Sequence, residues 1–250
     1  MKKRQLAKLG LTVGLVGAVG VGGTLAILSQ QSNTVTNTFA VGAGIKAEDV
    51  VLDETDLQDK ALDAEMSDNQ RTQTGNAYND LQPGMKLTKD PQVHVTAKAA
   101  DSYVFAKLEN VDEYLAAMNE GVADEDKSAL IHGINTNWKM YQAETAGSLD
   151  GVYVYVGASN PEKGIEAGEN GEGSKVSVGD ITFDSEKLFE GIQLATAATL
   201  YDAEGNPKDL SKLNIVVKAL AVQATDAATS WADAQAVVMT LNGNKNNLNG

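Results

Sequence analysis

The sequence predicts a mainly β protein: an antiparallel β-sandwich, jelly-roll-like, with one short helical insertion. Three observations carry this. Short apolar or alternating runs recur along the chain, separated by glycine, asparagine and proline. The hydrophobic period changes from two to three or four chiefly in one stretch, between Asn110 and Gly133. Strands and helices therefore do not alternate as a parallel α/β sheet requires. Periodicity supports the sandwich and leaves its strand order open.

The first element is an export segment. Lys2, Lys3, Arg4 and Lys8 precede a charge-free run from Leu9 to Leu28 that includes the triplet Thr24-Leu25-Ala26. This is the order of a secretory signal peptide, residues 1–26, with cleavage between Ala26 and Ile27. About 20 apolar residues would also make a membrane anchor. Gly10, Gly14, Gly17, Gly20, Gly22 and Gly23 argue against one, each lowering helix propensity by ~1 kcal/mol relative to alanine. Membrane contact is expected only through the signal peptide, and signal peptidase is a partner only during export.

Cleavage removes four of the 20 basic residues and no acidic one, leaving 16 against 34 and a net charge of −18. Nucleic acid and anionic lipid are poor partners for so acidic a surface. The chain has no cysteine. An exported protein without a disulfide framework stands on its hydrophobic core or on neighbouring subunits. The remaining 224 residues suffice for one domain, expected over 45–241, that buries ~70% of its unfolded surface. Residues 242–250 form a polar, asparagine-rich tail without a recognisable sorting signal.

Segment 27–44 contains a strand. In Asn33 to Val41, Val35, Asn37, Phe39 and Val41 fall on one face and Thr34, Thr36, Thr38 and Ala40 on the other. From Glu48 to Tyr78 the chain is acidic and polar. Leu57, Ala61, Leu62 and Met66 lie there at roughly helical spacing, so this stretch reads as a short surface helix or a loop. Pro83-Gly84 marks a turn. Strands follow at Lys86 to Lys98, around Val93, Val95 and Ala97, and at Tyr103 to Leu108. Val111, Tyr114, Leu115 and Met118, then Ala129 and Leu130, predict two short helices broken at Gly121, the second capped near Asp124 or Asp126. Further strands are expected at Asn137 to Gln142, Val152 to Val156, Val176 to Phe183 and Ile215 to Ala224, with an acidic glycine-rich loop from Glu162 to Gly173.

Catalytic patterns are scarce. His94 and His132 are the only histidines. H-E-x-x-H is absent, and the two positions read as a strand-surface histidine and a helix C-terminal cap. There is no G-x-S-x-G elbow. Gly168 to Gly173 lacks the Lys-Ser/Thr of a phosphate loop, and its glutamates would repel phosphate. The acidic clusters at Asp112-Glu113, Asp124 to Asp126 and Asp202 to Asn206 lack the spacing of a calcium loop. They read as solvated loops and helix N-termini. Trp138 and Trp231 could form a carbohydrate platform, but in a chain this poor in aromatics they are expected to pack in or beside the core. No cofactor and no catalytic or metal-binding residue is expected.

Three strings resemble one family in that family's own order. Gly22 to Ser29 followed by Asn37-Thr-Phe-Ala-Val-Gly42 is similar to the N-terminus of the TasA/camelysin family of Gram-positive biofilm matrix proteins. Asp80-Leu-Gln-Pro-Gly-Met-Lys-Leu-Thr-Lys-Asp90, with Val93-His-Val95 and Asp101 to Lys107, looks like its L-x-P-G-D-x-L-T-K-D turn and the strands after it. Ile215 to Ala224 is similar to its late strand, with Trp231 beyond. The matching pieces cover about a third of the chain. Ile27-Leu28 stands where an aromatic is often found, and Met85 replaces the aspartate after Pro-Gly.

The resemblance implies a jelly-roll subunit, released by a specialised signal peptidase and polymerised into extracellular fibres, with other copies and further matrix proteins as partners. In that family the mature N-terminal segment inserts into the next subunit, which makes Val35, Asn37, Phe39 and Val41 the assembly strand here. The expectation is a secreted, non-enzymatic fibre subunit. A camelysin-like metalloprotease and a surface adhesin or ligand-binding module are the alternatives.

Overall fold

The computed structural model of the chain describes residues 24–27, 35–41, 47–57, 70–96, 99–169, 172–177, 179–198, 200, 201, 208, 214–224, 231 and 234. They form a mainly β fold in which the largest sheet curls into a half-barrel. Its strands run in the order β1 (Thr24–Ile27), β2 (Val35–Val41), β15 (Val216–Gln223), β7 (Ser102–Glu109), β10 (Gly151–Tyr155) and β9 (Trp138–Ala143). Two short strands, β11 (Ile165–Glu166) and β12 (Lys175–Val176), extend it beside the start of β7. A second sheet orders β13 (Phe183–Asp184), β6 (Gln92–Val95), β3 (Val50–Thr55) and β4 (Arg71–Thr72). A third orders β5 (Lys86–Thr88), β14 (Gly191–Gln193) and β8 (Ala129–Leu130). Every pairing among these is antiparallel except that of β2 with β15.

β7 explains why the large sheet forms. It pairs along its whole length with β15, Ser102 opposite Gln223 and Glu109 opposite Val216. Val104, Ala106 and Leu108 enter the main core, while Tyr103 and Phe105 join a second cluster on the opposite face. Both faces of the strand are thus covered, which is why it reads as a nearly continuous apolar run. On the second face Trp231 stacks on Phe105, with ring centroids 6.0 Å apart and planes inclined by 11°, and meets Tyr103 and Tyr141 edge-on. The ring lies flat because residue 173 is glycine: a Cβ there would come within 2.7 Å of it.

The main core fills the space between the sheets. Val50 and Leu52 of β3, Val93 and Val95 of β6, Tyr153 and Tyr155 of β10, and Val217, Ala219 and Ala221 of β15 meet there. Trp138, Tyr155 and Phe183 form a chain of edge-to-face contacts that ties three strands together. Burying each such side chain stabilises the fold by ~1.5–3 kcal/mol. Helix α1 (Val111–Met118) packs on this core through Val111, Tyr114 and Met118. Its first N–H groups, those of Val111 and Asp112, donate to the Asp150 carboxylate at 2.8 and 3.3 Å, so a distant side chain supplies the cap that Asn110 does not.

Several expectations are corrected. The second helix is a single 3-10 turn, Asp124–Asp126, and Ala129–Leu130 is a strand because β14 offers it an edge. His132 follows that strand in a left-handed turn (φ 56°) and caps no helix. Lys86 to Lys98 holds two strands, interrupted at Lys89 to Pro91, and Val176 to Phe183 contributes only the ends of two. The acidic stretch from Glu48 begins with β3, a strand buried beneath the large sheet, and Leu57 lies buried just past its end. Ala61, Leu62 and Met66 lie outside the described residues, as does the polar tail. The Pro83-Gly84 turn stands as expected: Met85 N–H donates to the Gln82 carbonyl, and Gly84 takes the positive φ of 78° that this turn requires.

Candidate functional site

The predicted assembly strand and the cleavage pair form one edge of the large sheet. Val35, Asn37, Phe39 and Val41 all lie in β2, and Ala26 and Ile27 lie in β1. β1 and β2 form an antiparallel hairpin with Ala26 opposite Phe39 and Ile27 opposite Thr38. On its other side β2 runs parallel to β15, with Val35 opposite Val217 and Asn37 opposite Ala219. Val217 and Ala219 themselves belong to the main core. β2 also contacts β3, the nearest strand of the facing sheet. The strand therefore pairs with β15, distant in sequence, and contacts β3, which follows it closely along the chain.

A second constellation lies in the acidic stretch. β3 alternates Val50 and Leu52 into the core, and the next residue of that parity is Glu54, which is fully buried. Such a charge persists only when paired. Lys89 Nζ lies 2.8 Å from Glu54 Oε2, and both the backbone N–H and the side-chain amide of Asn76 donate to Oε1 at 3.0 and 2.9 Å. Beside it Asp90, also buried, accepts from Thr55 N–H at 2.7 Å and Thr55 Oγ1 at 2.9 Å, and pairs with Arg71 and Lys187 at 3.1 and 2.9 Å. Burial pushes the Asp90 carboxyl up, but the Thr55 N–H, Lys187 and Arg71 outweigh it and hold the group below the usual carboxylate range. Arg71 spans the network, reaching Asp53 and the backbone carbonyls of Asp53 and Asp90.

His94 closes the outer end of this network. Its Nδ1 lies 2.6 Å from Asp184 and its Nε2 3.0 Å from Asp53. Burial lowers its pKa, but hydrogen bonds to the two carboxylates overcome that and raise it above 6.5. Both ring nitrogens are engaged, so neither is open to a metal. His132 is 79% exposed and pairs with Glu190 at 2.9 Å on a different strand system. Among the described residues no group of three or more His, Cys, Asp or Glu side chains is placed to hold a metal ion. Trp138 is buried, its indole N–H donating to the Glu186 carbonyl at 2.8 Å, and Trp231 packs in the second cluster. Neither presents a platform.

Next to the Glu54 group opens a cavity of about 560 Å³, walled by Tyr78, Tyr114, Leu200 and Tyr201, with Asn76 and Lys89 on its lining. Sequence reasoning missed Glu54, Asn76 and Lys89 because it weighed the acidity of the stretch as a whole. The signal was the β-branched run Val50-Val-Leu-Asp-Glu-Thr55, whose period of two assigns Glu54 to the core side. No family model, curated protein or solved structure matches the chain.

Proposed function

We propose that the chain is a secreted structural subunit of extracellular matrix or cell-surface fibres, of the TasA/camelysin type, and that segment 27–44 is donated to a neighbouring copy. The observation that most supports this is the position of β2, which is held in the sheet by β15 on one side and covered by β1 on the other. Cleavage between Ala26 and Ile27 takes Thr24, Leu25 and Ala26 from β1 and leaves Val41, Ala40 and Phe39 of β2 without their partners on the outer edge. An unpaired edge of alternating residues is a template for another chain. The pairing that β2 makes with β15 rests on backbone register, which a second copy supplies equally well. Exchange between copies then conserves the native pairing while linking subunits head to tail, the heterologous arrangement that makes open filaments. Signal removal is the switch for assembly in this scheme.

Electron microscopy of chains starting at Ile27 and at Gly42 tests the role: fibres are expected from the first and not from the second. Since the chain has no cysteine, Asn37→Cys combined with Ala219→Cys tests the route. The two positions face each other in the register and are close enough for a disulfide. Fibres of this variant should give a ladder of covalent oligomers on a non-reducing gel. Intact fibres that give only monomer would refute strand donation and leave the fibre role standing.

A further inference from the structure

The Glu54 group holds the parts of an amide-forming reaction. Lys89 supplies a primary amine and Asn76 a carboxamide, and one buried carboxylate binds both: Lys89 Nζ on Oε2 at 2.8 Å, Asn76 Nδ2 on Oε1 at 2.9 Å. The orientation of the amide is set by its surroundings. Nδ2 faces two acceptors, Glu54 Oε1 and the Thr55 carbonyl at 2.7 Å, while Oδ1 accepts the Leu57 backbone N–H at 2.9 Å. A reversed amide would set its oxygen against two oxygens and its NH2 against an N–H. The Leu57 N–H is therefore aimed at the atom on which negative charge develops when the carboxamide carbon is attacked. The site is secluded: Glu54 is fully buried, Lys89 is 8% exposed, and Leu57 is 5% exposed.

We propose that Lys89 and Asn76 become joined by an intramolecular isopeptide bond, with Glu54 as the catalytic residue. The Lys89 ammonium gives a proton to the Glu54 carboxylate, and the freed amine attacks Asn76 Cγ. The new bond is Nζ–Cγ. The Cγ–Nδ2 bond breaks, Glu54 returns its proton to the departing nitrogen, and a second proton from the attacking nitrogen completes ammonium. The sum is a lysine ammonium plus a carboxamide giving a secondary amide plus ammonium, with no oxidant, reductant or cofactor. The adjoining cavity, lined by both reacting residues, is the way out for the leaving group. Holding amine and carboxamide against one buried carboxylate of β3 turns an unfavourable bimolecular encounter into a unimolecular step. The product closes residues 76–89 into a covalent ring around the Pro83-Gly84 turn. That clips to the body the connection leading into β5, a service a chain without cysteine has no disulfide to perform.

The test is a tryptic digest of the denatured full chain read by mass spectrometry. The expected species is a branched peptide in which residues 72–86 are joined to residues 87–98, uncut after Lys89 and lighter than the two parts by one ammonia. Separate peptides 72–86 and 87–89 from the folded wild type would overturn the bond. Glu54→Gln that folds, by near-ultraviolet circular dichroism, should give only separate peptides; a branched species in it would overturn the role of Glu54. Should that variant not fold, Glu54→Asp is assayed in its place, with slowed linkage expected and an unchanged rate counting against Glu54. Lys89→Arg and Asn76→Ser should each abolish the branched species, and its persistence in either would refute the assigned pair.

Discussion

The strands β7, β10 and β15 and the charge network around Glu54, Lys89 and Asp90 are both buried, yet the first was plain in the sequence and the second was misread. The first is apolar on both faces, so burial and composition agree. The second buries Glu54, Lys89 and Asp90 at 0%, 8% and 2% exposure, so composition points outward while the structure turns inward. The difference teaches that a charged residue's place is decided by its partners. Lys89, Arg71 and Lys187 neutralise the buried carboxylates, and none of them adjoins its partner in sequence.

The sharpest way to break the comparison is to remove one member of each region. Phe105→Ala empties the space under Trp231 and should lower stability by about 3–5 kcal/mol in denaturant titration. Asp90→Ala strands Arg71, Lys187 and the Thr55 donors and is expected to lose a similar ~3–5 kcal/mol, although it removes no apolar surface. A loss under about 1 kcal/mol for Asp90→Ala would show that the network is solvated in solution. Next in size is the cap: Asp150→Ala leaves the Val111 and Asp112 N–H groups without their acceptor and should reduce stability by about 0.5–2 kcal/mol, with loss of helical signal.

Titration probes the charge network from both of its ends. The His94 pKa is raised on folding, so its contribution is fully present below its unfolded value near 6.5 and is lost as pH rises through the higher folded value. Asp90 has the opposite sign. Its pKa is lowered, so its contribution is present above about 3.8 and is lost as pH falls through the folded value. Thermal melts across pH should therefore show the network weakening toward both ends, and His94→Gln should flatten only the upper one. A profile for His94→Gln that matches the wild type above pH 6.5 would remove His94 from the network's energetics. The smallest effect is reserved for the exposed pair: His132→Ala is expected within about 0.5 kcal/mol of wild type, since surface ion pairs are screened by water.

Much of the fold was legible. Short alternating runs located β2, β7, β9, β10 and β15 within a residue or two, and the change of period located α1. The misses share a cause. Ala129-Leu130 has helical spacing from Val111 to Met118, but two residues follow whichever neighbour offers hydrogen bonds, and β14 offered an edge. Of the candidate site, β2 was legible as a strand from its alternation, whereas the strand β1 and its pairing with β2 were not read from the sequence. The Glu54 group was not, because Glu54, Asn76 and Lys89 are separated by 22 and 13 positions and nothing local announces that they meet.

By itself the sequence determined what depends on neighbours along the chain: the period of the longer strands, the Pro83-Gly84 turn, and the absence of any disulfide. Those features rest on local sterics and on which face of a strand is apolar. Only the tertiary structure decided that β2 lies parallel to β15 and that an acidic stretch holds a buried charge network. Both are meetings of distant segments. Their stability comes from desolvated pairing across strands, a quantity that a one-dimensional pattern does not carry.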